Sequence, residues 1–447
     1  MNRTEVVVIG GGLAGLFAAI ELAQRDVDVV VVEAADRAGG VAKTITDSGY
    51  LLDAAVGSFL LPHPHLTPML SRLAVEIVAA DECASRQWVA HKQRLRALPR
   101  TPGQFVRSSV VGTASKLRAA CEPLLGRESA THRDESLSQF LCRRFGSRSG
   151  TTAAWLAASG IFAGDPNLLS ASAAFPKLYD LEQQSGSVVR AMVGAKKRRS
   201  VEVPLPRLHA PTGGMVAVVG ACADILGERL HLRTKVGSVE RIGRTWKVET
   251  SDGSWEADDV VVAVRPEQAA GFVPRPVAKT MAATRSAPVV VVGVGGRAAD
   301  LPFPQGLGYL TMPGEGLRTV GVVFESAMFA HRAPLGHRMA KVVLGGARNP
   351  QMVEWSDEQL ARIAVEELAW TLDQTIEASW LAVVRHRSGI PQYEIGHAER
   401  RAQTTEALGD FPGLRLIGWG YDGITIGDRA QEAVELADTI TGSNTTI

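Results

Sequence analysis

Apolar residues near the start of the chain fall into runs with two different spacings. Val6–Ile9 is an unbroken apolar run, which is typical of a strand buried on both faces. Glycines follow, and the alanine- and leucine-rich stretch from Leu13 to Gln24 predicts a helix. Val27–Glu33, which reads VDVVVVE, predicts a second strand. Strand, helix and strand in this order predict a βαβ unit with parallel strands.

The pattern changes in the middle of the chain. From about Phe105 to Arg199 the apolar spacing is helical, and Asp134-Glu135 before Ser136 marks one helix start. Strand-like runs then return, with a covering helix predicted at Asp357–Leu372 and a last helix from about Asp428 to Thr439. The predicted strands are Leu230–Arg233, Trp246–Thr250, Asp258–Val264, Val289–Val294, Leu307–Met312, Arg318–Phe324, Lys341–Leu344, Trp380–Val384 and Leu414–Ile417.

The composition is that of a globular protein in water. Hydrophobic residues make up 45% of the chain and charged residues 21%, with a formal net charge of +1. No apolar run is long enough to cross a bilayer, and no leader peptide is visible, so we expect a cytoplasmic protein. We expect no nucleic acid among its partners. The four cysteines stand singly, which argues against a metal site or a disulfide framework and predicts small buried side chains. They are Cys83, Cys121, Cys142 and Cys222.

Positive charge is concentrated in one segment. Between Arg86 and Gly150 there are thirteen Lys or Arg and four Asp or Glu, a local charge of about +9 (13 − 4), and Lys196–Arg199 reads KKRR. A carboxylate-bearing substrate or an acidic membrane surface would suit this segment, so a peripheral membrane contact stays open. A solvated helical surface explains the same charges equally well.

A glycine motif occupies the turn between the first strand and the first helix. Gly10, Gly12 and Gly15 form G-x-G-x-x-G. Gly10 allows the tight turn, Gly12 lets a pyrophosphate approach the backbone, and Gly15 lets helix and strand pack closely. Glu33 ends the next strand, where a carboxylate can accept both ribose hydroxyls of an adenosine. The order of these features predicts a bound dinucleotide.

These elements predict an α/β fold with a Rossmann-type nucleotide-binding domain interrupted by two other domains. We expect the nucleotide-binding domain to comprise residues 1–84, 206–270 and 411–447. A helical domain, the candidate membrane-facing or substrate lobe, is expected at 85–205, and a mixed-sheet substrate-binding domain at 271–410. A monomer and a homodimer are both left open.

Three stretches resemble the FAD-binding segments of amine-oxidase-type flavoproteins. EAADRAGGVAKT resembles their second diphosphate-binding stretch, R-x-G-G-R-x-x-[ST], with Val41 in place of the second Arg. Glu256–Pro266 (EADDVVVAVRP) resembles the strand that closes the FAD domain, and Leu414–Ala437 resembles the C-terminal flavin segment, whose final helix is expected to open at Asp428. The resemblance implies FAD contacts from Gly10, Gly12, Gly15, Glu33, Arg37, Gly39, Gly40, Thr44, Val236, Gly418, Gly420 and Asp428.

A second nucleotide site would be needed to reduce the flavin with a pyridine nucleotide. The nearest candidate is Val289–Asp300, with Gly293-x-Gly295-x-x-Ala298, but prolines follow at once and leave no room for a phosphate-capping helix. We interpret this stretch as a turn at a sheet edge. O2 or another acceptor is therefore expected to reoxidise the flavin, which indicates an oxidase.

Longer motifs narrow the resemblance to the protoporphyrinogen and coproporphyrinogen oxidases. Ser159–Val188 is similar to their G-x-[FY]-A-G-[DN]-P and F-P-x-L-x-x-x-E signature, and His386–His397 to their H-x-x-x-I-P-Q-Y-x-x-G-H. Gly306–Pro313 and Val320–Pro334 resemble two further strands of that family, and RLRALPRTP its L-P-T-x-P segment. For the Pro-Gln-Tyr turn, fold maintenance and pocket lining are both open.

The resemblance implies the oxidation of a porphyrinogen to the porphyrin in haem biosynthesis, with the flavin as electron sink, O2 as acceptor and H2O2 as product. No catalytic side chain or metal is then required. Leu310 and Phe329 match the residues that hold the flat ring, with core packing as the alternative. The family's propionate-binding Arg falls at Gln87, one residue from Arg86.

Near the flavin the sequence departs from the family pattern Y-x-G-V-G-[IV]-x-D-C. Here the segment runs from Tyr421 to Arg429, and Thr425 replaces a glycine, which would bring a branched side chain close to the ring and the substrate. The stretch DAAVGSF (Asp53–Phe59) lacks the usual Gly-Pro. A specialised amine- or amide-type flavin oxidase acting on a non-porphyrin substrate in secondary metabolism is the alternative. A flavin-bearing partner protein without turnover is a third hypothesis.

Overall fold

The computed structural model describes residues 2–99, 102–107, 112–125, 134–191, 194, 206–281 and 284–442. Within these ranges the strands build two large sheets and two small ones. The strands are β1 Asn2–Ile9, β2 Val29–Val32, β3 Thr44–Asp47, β4 Tyr50–Asp53, β5 Phe59–Leu61, β6 Ile77–Ala79, β7 Gln87–Ala90, β8 Leu95–Ala97, β9 Arg207–Pro211, β10 Leu230–His231, β11 Val236–Ile242, β12 Thr245–Thr250, β13 Gly253–Val262, β14 Ser286–Arg297, β15 Gly308–Thr311, β16 Thr319–Val323, β17 His337–Gly345, β18 Trp380–Pro391 and β19 Leu414–Leu416.

The described helices surround these sheets. They are α1 Leu13–Ala23, α2 Leu66–Arg72, α3 Pro102–Arg107, α4 Thr113–Cys121, α5 Leu137–Phe145, α6 Ser147–Phe162, α7 Ala171–Ala174, α8 Pro176–Ser185, α9 Met215–Leu226, α10 Pro266–Ala269, α11 Arg275–Met281, α12 Glu325–Met328, α13 Asp357–Leu372, α14 His397–Gly409 and α15 Ile426–Thr441. None of them is long and apolar enough to cross a bilayer.

The first large sheet has the order β10-β2-β1-β13-β12-β11, and β19 pairs with β13. β1 runs parallel to both β2 and β13, as the βαβ prediction requires. Its valines are buried on both faces because α1, α9 and α15 cover one face while α11 and α14 cover the other. The carboxyl ends of β1, β2, β13 and β19 therefore share one edge of the sheet.

The second large sheet has the order β18-β14-β17-β16-β15-β7-β8 and mixes parallel with antiparallel pairs. Val290 and Val292 face α13 and pack on Leu360 and Ala364, so the predicted covering helix is confirmed. The opposite face looks toward the β3–β4 hairpin and α6. Since β7 and β8 belong to this sheet, the helical segment begins only after β8.

The predicted sheet-edge turn at Gly293–Ala298 is wrong. β14 is continuous through the glycines and lies between β17 and β18. The glycines make room for aromatic rings: a Cβ on Gly293 would lie 2.7 Å from the Trp380 ring, and one on Gly295 would lie 2.6 Å from Tyr50. The two rings stack on each other with their centroids 4.7 Å apart.

The helical lobe comprises α3–α8. α5 begins where predicted: the Ser136 hydroxyl accepts the Gln139 N–H, and the Gln139 amide oxygen accepts the Ser136 N–H. Arg143 pairs with Glu135 and Glu182, and Arg144 is buried against Glu182. These two cations are therefore neutralised inside the lobe. The basic positions Arg100, Arg127, Arg133 and Lys196–Arg199 lie outside the described residues.

The cysteines only partly follow the expectation of burial. Cys83 and Cys222 are buried, which raises the pKa of their thiols to about 11 and about 12. Cys142 is half-buried, and Cys121 is exposed at the end of α4. The prediction is therefore wrong for Cys121.

Candidate active site

The first glycine stretch forms an open cradle between β1 and α1. Gly10 has a φ of +110°, and a Cβ on Gly15 would lie 2.0 Å from the Gly10 carbonyl oxygen. A Cβ on Gly12 would meet no atom within 4 Å. Gly12 is the N-cap of α1 and has no capping side chain. The space and the N-terminal amides of α1 suit a diphosphate.

Glu33 lies at the end of β2, next to this cradle. Its carboxylate accepts the N–H groups of Gly11 at 2.7 Å and Ala35 at 2.8 Å, and the side chain is half-buried. Val236 lies at the start of β11 and is 9% exposed in the apolar cluster that includes Val32. A half-exposed carboxylate at the end of the second parallel strand suits a ribose.

The second glycine stretch lies against the first. Gly39 donates its N–H to the Gly11 carbonyl at 2.7 Å, and a Cβ on Gly40 would lie 3.4 Å from the Gly12 Cα. The Arg37 guanidinium donates to the carbonyl of Gly40 at 2.7 Å and to that of Ala38. Both stretches therefore border the same cradle.

Thr44 is placed differently from the other residues of its motif. Its hydroxyl donates to the Asp53 carboxylate at 2.6 Å and accepts the Val216 N–H at 3.0 Å. It therefore joins the β3–β4 hairpin to the start of α9.

The C-terminal segment reaches the same edge of the sheet. Gly418 follows β19, has a φ of +112°, and a Cβ there would lie 3.6 Å from Ala14 on α1. A Cβ on Gly420 would clash with Pro266 at 2.2 Å. The N–H of Gly418 donates to both oxygens of Glu432.

The last helix begins two residues before the position predicted for it. α15 opens at Ile426 with Thr425 as N-cap, and Asp428 is the third residue of the helix. The Thr425 hydroxyl accepts the Asp428 N–H at 3.0 Å, and the Asp428 carboxylate accepts the N–H groups of Ile424 and Thr425. The exposed Thr425 thus serves as a helix cap.

Gln87 and Leu310, both predicted to contact the substrate, lie on one face of the second sheet. β7 pairs with β15 so that Gln87 is opposite Gly308 and Val89 is opposite Leu310, which puts Gln87 and Leu310 on the same side. Leu310 points at α6, where a Cβ on Gly160 would lie 3.3 Å from it. Arg86 precedes the strand, is exposed, and faces the opposite way by alternation.

Phe329 and Tyr421 are packed against protein. Phe329 is 2% exposed in an apolar cluster with Ala80 and Ala210. The Tyr421 hydroxyl donates to the Val264 carbonyl at 3.1 Å, and burial holds its pKa well above the ordinary value. Tyr421 therefore ties the C-terminal segment to the end of β13.

The Pro-Gln-Tyr turn connects two other motifs. The Gln392 amide donates to the Phe162 carbonyl at 2.9 Å, and the Tyr393 hydroxyl lies 2.7 Å from the Trp419 carbonyl and 2.9 Å from the Gly423 carbonyl. Tyr393 is 3% exposed. The turn therefore fixes the C-terminal segment relative to α6.

A buried charge cluster next to this site was not predicted. The Arg332 guanidinium pairs with Asp53 at 2.6 Å, and the Lys341 ammonium pairs with Glu325 at 2.7 Å. Burial would raise the pKa of Glu325, but Lys341 and Arg332 hold it below the ordinary value. A single charge inside an apolar run, such as Lys341 in MAKVVLGG, was the signal that could have revealed the cluster.

Comparisons with known proteins agree with this geometry. The family model described as flavin containing amine oxidoreductase matches residues 13–426. Protoporphyrinogen oxidase of Nicotiana tabacum chloroplasts is 30% identical over 98% of this chain and 85% of its own length. Coproporphyrinogen III oxidase of Bacillus subtilis (strain 168) is 25% identical over 96% of both chains.

Solved structures share the fold. A crystal structure from Exiguobacterium sp. 255-15, assigned as a protoporphyrinogen oxidase, has a TM-score of 0.83 at 21% identity and covers 98% of both chains. Putrescine oxidase with bound putrescine has a TM-score of 0.70 at 16% identity, covering 98% of this chain and 99% of that one.

The fold, the glycine cradle and the family match together define an FAD-dependent oxidoreductase. More narrowly, the chain belongs to the protoporphyrinogen and coproporphyrinogen oxidase family of flavin-containing amine oxidoreductases.

Proposed function

We propose that the protein oxidises a porphyrinogen, coproporphyrinogen III or protoporphyrinogen IX, to the corresponding porphyrin in haem biosynthesis. Bound FAD would accept two electrons in each step as a hydride from a bridging carbon. Three such steps, each releasing one proton from the macrocycle, complete the oxidation, and three O2 are reduced to three H2O2.

The observation that carries the proposal is the junction of the signature motifs at one place. Gln392 binds the end of α6, Tyr393 binds the segment after β19, and Leu310 faces Gly160 on α6. The motifs quoted from the porphyrinogen oxidases therefore border a single region between the sheet face and the FAD edge. In this proposal that region would supply the apolar wall for a flat ring.

In this proposal the chain's residues bind FAD and orient the substrate. Gly12 and the amides of α1 would hold the diphosphate, Glu33 would hold the ribose, and the segment after β19 would border the flavin. Leu310 would pack on the macrocycle, and Gln87 would face a propionate on the same side of the sheet. The chain's own side chains supply no redox chemistry.

The test is to purify the protein with FAD and supply each porphyrinogen in air. Porphyrin fluorescence should rise well above autoxidation, with one H2O2 for every two electrons removed. Heat-denatured protein with the same amount of FAD is the control. A rate equal to autoxidation, with bound FAD intact, would contradict the proposal.

One observation favours an amine- or amide-type oxidase as a second candidate. Gln87, on the same side of the sheet as Leu310, is neutral, and strand alternation turns the charged Arg86 to the opposite side. A substrate without carboxylates would need no cation there. Oxidation of an amine, with no turnover of either porphyrinogen, would favour this candidate.

A further inference from the structure

The loop Asp53–Ser58, here called the amide loop, lies between the two large sheets. It leaves β4 at Asp53, and the Ala54 N–H donates to the Lys43 carbonyl at 2.8 Å. His386 of β18 packs against this loop. Burial is the largest cause that lowers the pKa of His386, and the nearby charges of Arg265 and Lys43 lower it further. Arg265 follows β13, so the loop lies where the carboxyl edge of the FAD sheet meets the face of the second sheet.

Three side chains of the second domain hold the carbonyls of this loop. His386 Nε2 lies 2.8 Å from the Ala54 oxygen, Lys341 Nζ 3.4 Å from the Ala55 oxygen, and Arg332 Nη2 2.9 Å from the Gly57 oxygen. Because a carbonyl only accepts, each nitrogen is the donor. Arg332 is fully buried and Lys341 is 7% exposed.

Holding a carbonyl also fixes the direction of the N–H in the same peptide group, which belongs to the following residue. The peptide bonds of the loop are trans, so the N–H opposite each carbonyl points away from the side chain that holds it. The N–H groups of Ala55 and Val56 therefore point away from the second sheet, and that of Ser58 points away from Arg332. Within the part of the chain that the structure describes, none of the three donates to a protein acceptor. The Val56 side chain beside them is 39% exposed, as expected at the wall of a crevice.

We propose that Lys341, Arg332 and His386 are positioning residues that aim these three amides at the redox-active end of FAD. Transfer of a hydride to the flavin delivers two electrons and one proton and leaves one negative charge. The Ala55 and Gly57 carbonyls are bound to the cations Lys341 and Arg332, which polarises the peptide groups, so their amides stabilise that charge more strongly than free amides do. The proposal concerns the flavin alone, and it stands or falls independently of the porphyrinogen.

The decisive variant is Lys341→Met, with Arg338→Met as its matched control. Arg338 lies on the same strand and donates to the carbonyls of Leu301 and Phe303, away from the amide loop. In Lys341→Met holoenzyme the equilibrium constant for two-electron reduction should fall about tenfold, which lowers the midpoint potential by about 30 mV. The affinity for sulfite, which adds to electron-poor flavins, should fall by a similar factor. Arg338→Met should change neither.

An unchanged potential and sulfite affinity in Lys341→Met would overturn the proposal. If that variant fails to fold because Glu325 is left buried and charged, Glu325→Gln/Lys341→Met removes both charges and takes its place. Hydrogen exchange on the wild-type holoenzyme is a second test: Ala55, Val56 and Ser58 should exchange at least about a hundredfold slower than free amides, because bound FAD is their acceptor. Rapid exchange there, with FAD bound, would also overturn it.

Discussion

At the residue scale, the buried carboxylate of Asp53 shows how charge is tolerated between the sheets. Asp53 uses both oxygens: one accepts from Thr44 and from the Met215 N–H, and the other binds Arg332. Removing one partner of a buried ion pair lowers the free energy of unfolding by about 3 to 5 kcal/mol. Replacing Asp53 or Arg332 alone should therefore destabilise the protein more than replacing both together.

Gln87 defines the prediction for substrate affinity. Gln87→Arg would place a guanidinium on the face that Leu310 occupies, where it can pair with a propionate. A charge-assisted hydrogen bond of about 1.5 kcal/mol or more lowers the KM for a carboxylated porphyrinogen about tenfold. Steady-state kinetics measure this.

Arg86→Ala is the control for that experiment, because Arg86 faces the other way and its loss should leave KM unchanged. A raised KM in Arg86→Ala together with no effect of Gln87→Arg would show that Arg86, and not Gln87, faces the substrate.

Glu432 defines a prediction for the pH dependence of stability. Burial raises its pKa to about 7, against an ordinary 4.5, although Arg429 and the Gly418 N–H oppose the shift. A carboxyl with a raised pKa binds its proton more tightly in the folded state. Its contribution to the free energy of unfolding is therefore full below pH 4.5 and is lost as pH rises to 7.

Relative to Glu432→Gln, the wild type should lose about 2 to 3 kcal/mol of stability between pH 5 and pH 8. Urea denaturation of both proteins at the two pH values measures the difference. Parallel pH profiles for the two proteins would contradict the shift.

The role of an individual residue could be predicted only where neighbouring residues in the sequence determine it. Gly10 and Gly15 follow from the turn and from the close contact of helix and strand, and Ser136 follows from the capping rule. The pairing of Asp53 with Arg332 could not be predicted, because the two residues are 279 positions apart and meet only through the tertiary fold.

At the element scale, the cap of α15 connects helix stability to the segment that we propose borders FAD. Thr425 and Asp428 satisfy three N–H groups at its start. Thr425→Ala should lower the free energy of unfolding by about 1 kcal/mol, while Thr425→Ser should retain most of it. Thermal or urea denaturation of the holoenzymes measures the difference. Equal losses in both variants would mean that the methyl group, rather than the hydroxyl, stabilises the segment.

The turn before α1 offers a pair of variants that separate folding from FAD binding. Gly15→Ala would place a Cβ 2.0 Å from the Gly10 oxygen and should lower the free energy of unfolding by about 1 to 3 kcal/mol. Gly12→Ala meets no protein atom within 4 Å and should fold normally, yet it should weaken FAD binding at least about tenfold by filling the diphosphate cradle. Urea denaturation of the apoproteins measures the loss of stability in Gly15→Ala, and titration with FAD measures the loss of affinity in Gly12→Ala. Normal FAD affinity in Gly12→Ala would place the diphosphate elsewhere.

Long elements with a clear period were predicted and short ones were missed. α13 and the βαβ unit have patterns long enough to be recognised. The bounds of α13 agree with the structure, whereas β1 begins at Asn2 rather than at Val6. β5, β6 and β8 have only three residues each and could not be predicted from period, because they depend on pairing with distant strands. β14 was predicted as a strand, but its glycines were misread because the rings that cover them come from β4 and β18.

At the scale of the whole molecule, the candidate site is built by segments that are far apart in the sequence. Gly12, Gly39 and Gly418 come from three stretches, yet all lie at the carboxyl edge of the parallel strands of one sheet. The fold class could be predicted because that arrangement depends on a few glycine motifs. The substrate could not, because its recognition depends on how the second sheet and the helical lobe face that edge.

The same fold occurs in proteins that act on different substrates. Putrescine oxidase has a similar fold at 16% identity, and its structure holds putrescine, an amine. We propose that the FAD-binding edge is the common part and that the face that includes Gln87 and Leu310 selects the substrate. A measurement on the complete holoenzyme must therefore follow the flavin and the substrate together.

The most direct test of the central claim is an anaerobic titration of the FAD-loaded protein with protoporphyrinogen and, separately, with coproporphyrinogen. We predict that the flavin absorbance bleaches while porphyrin forms, with three flavins reduced for each porphyrin, and that admitting air restores the oxidised flavin. A flavin that stays oxidised in the presence of both porphyrinogens would contradict the account.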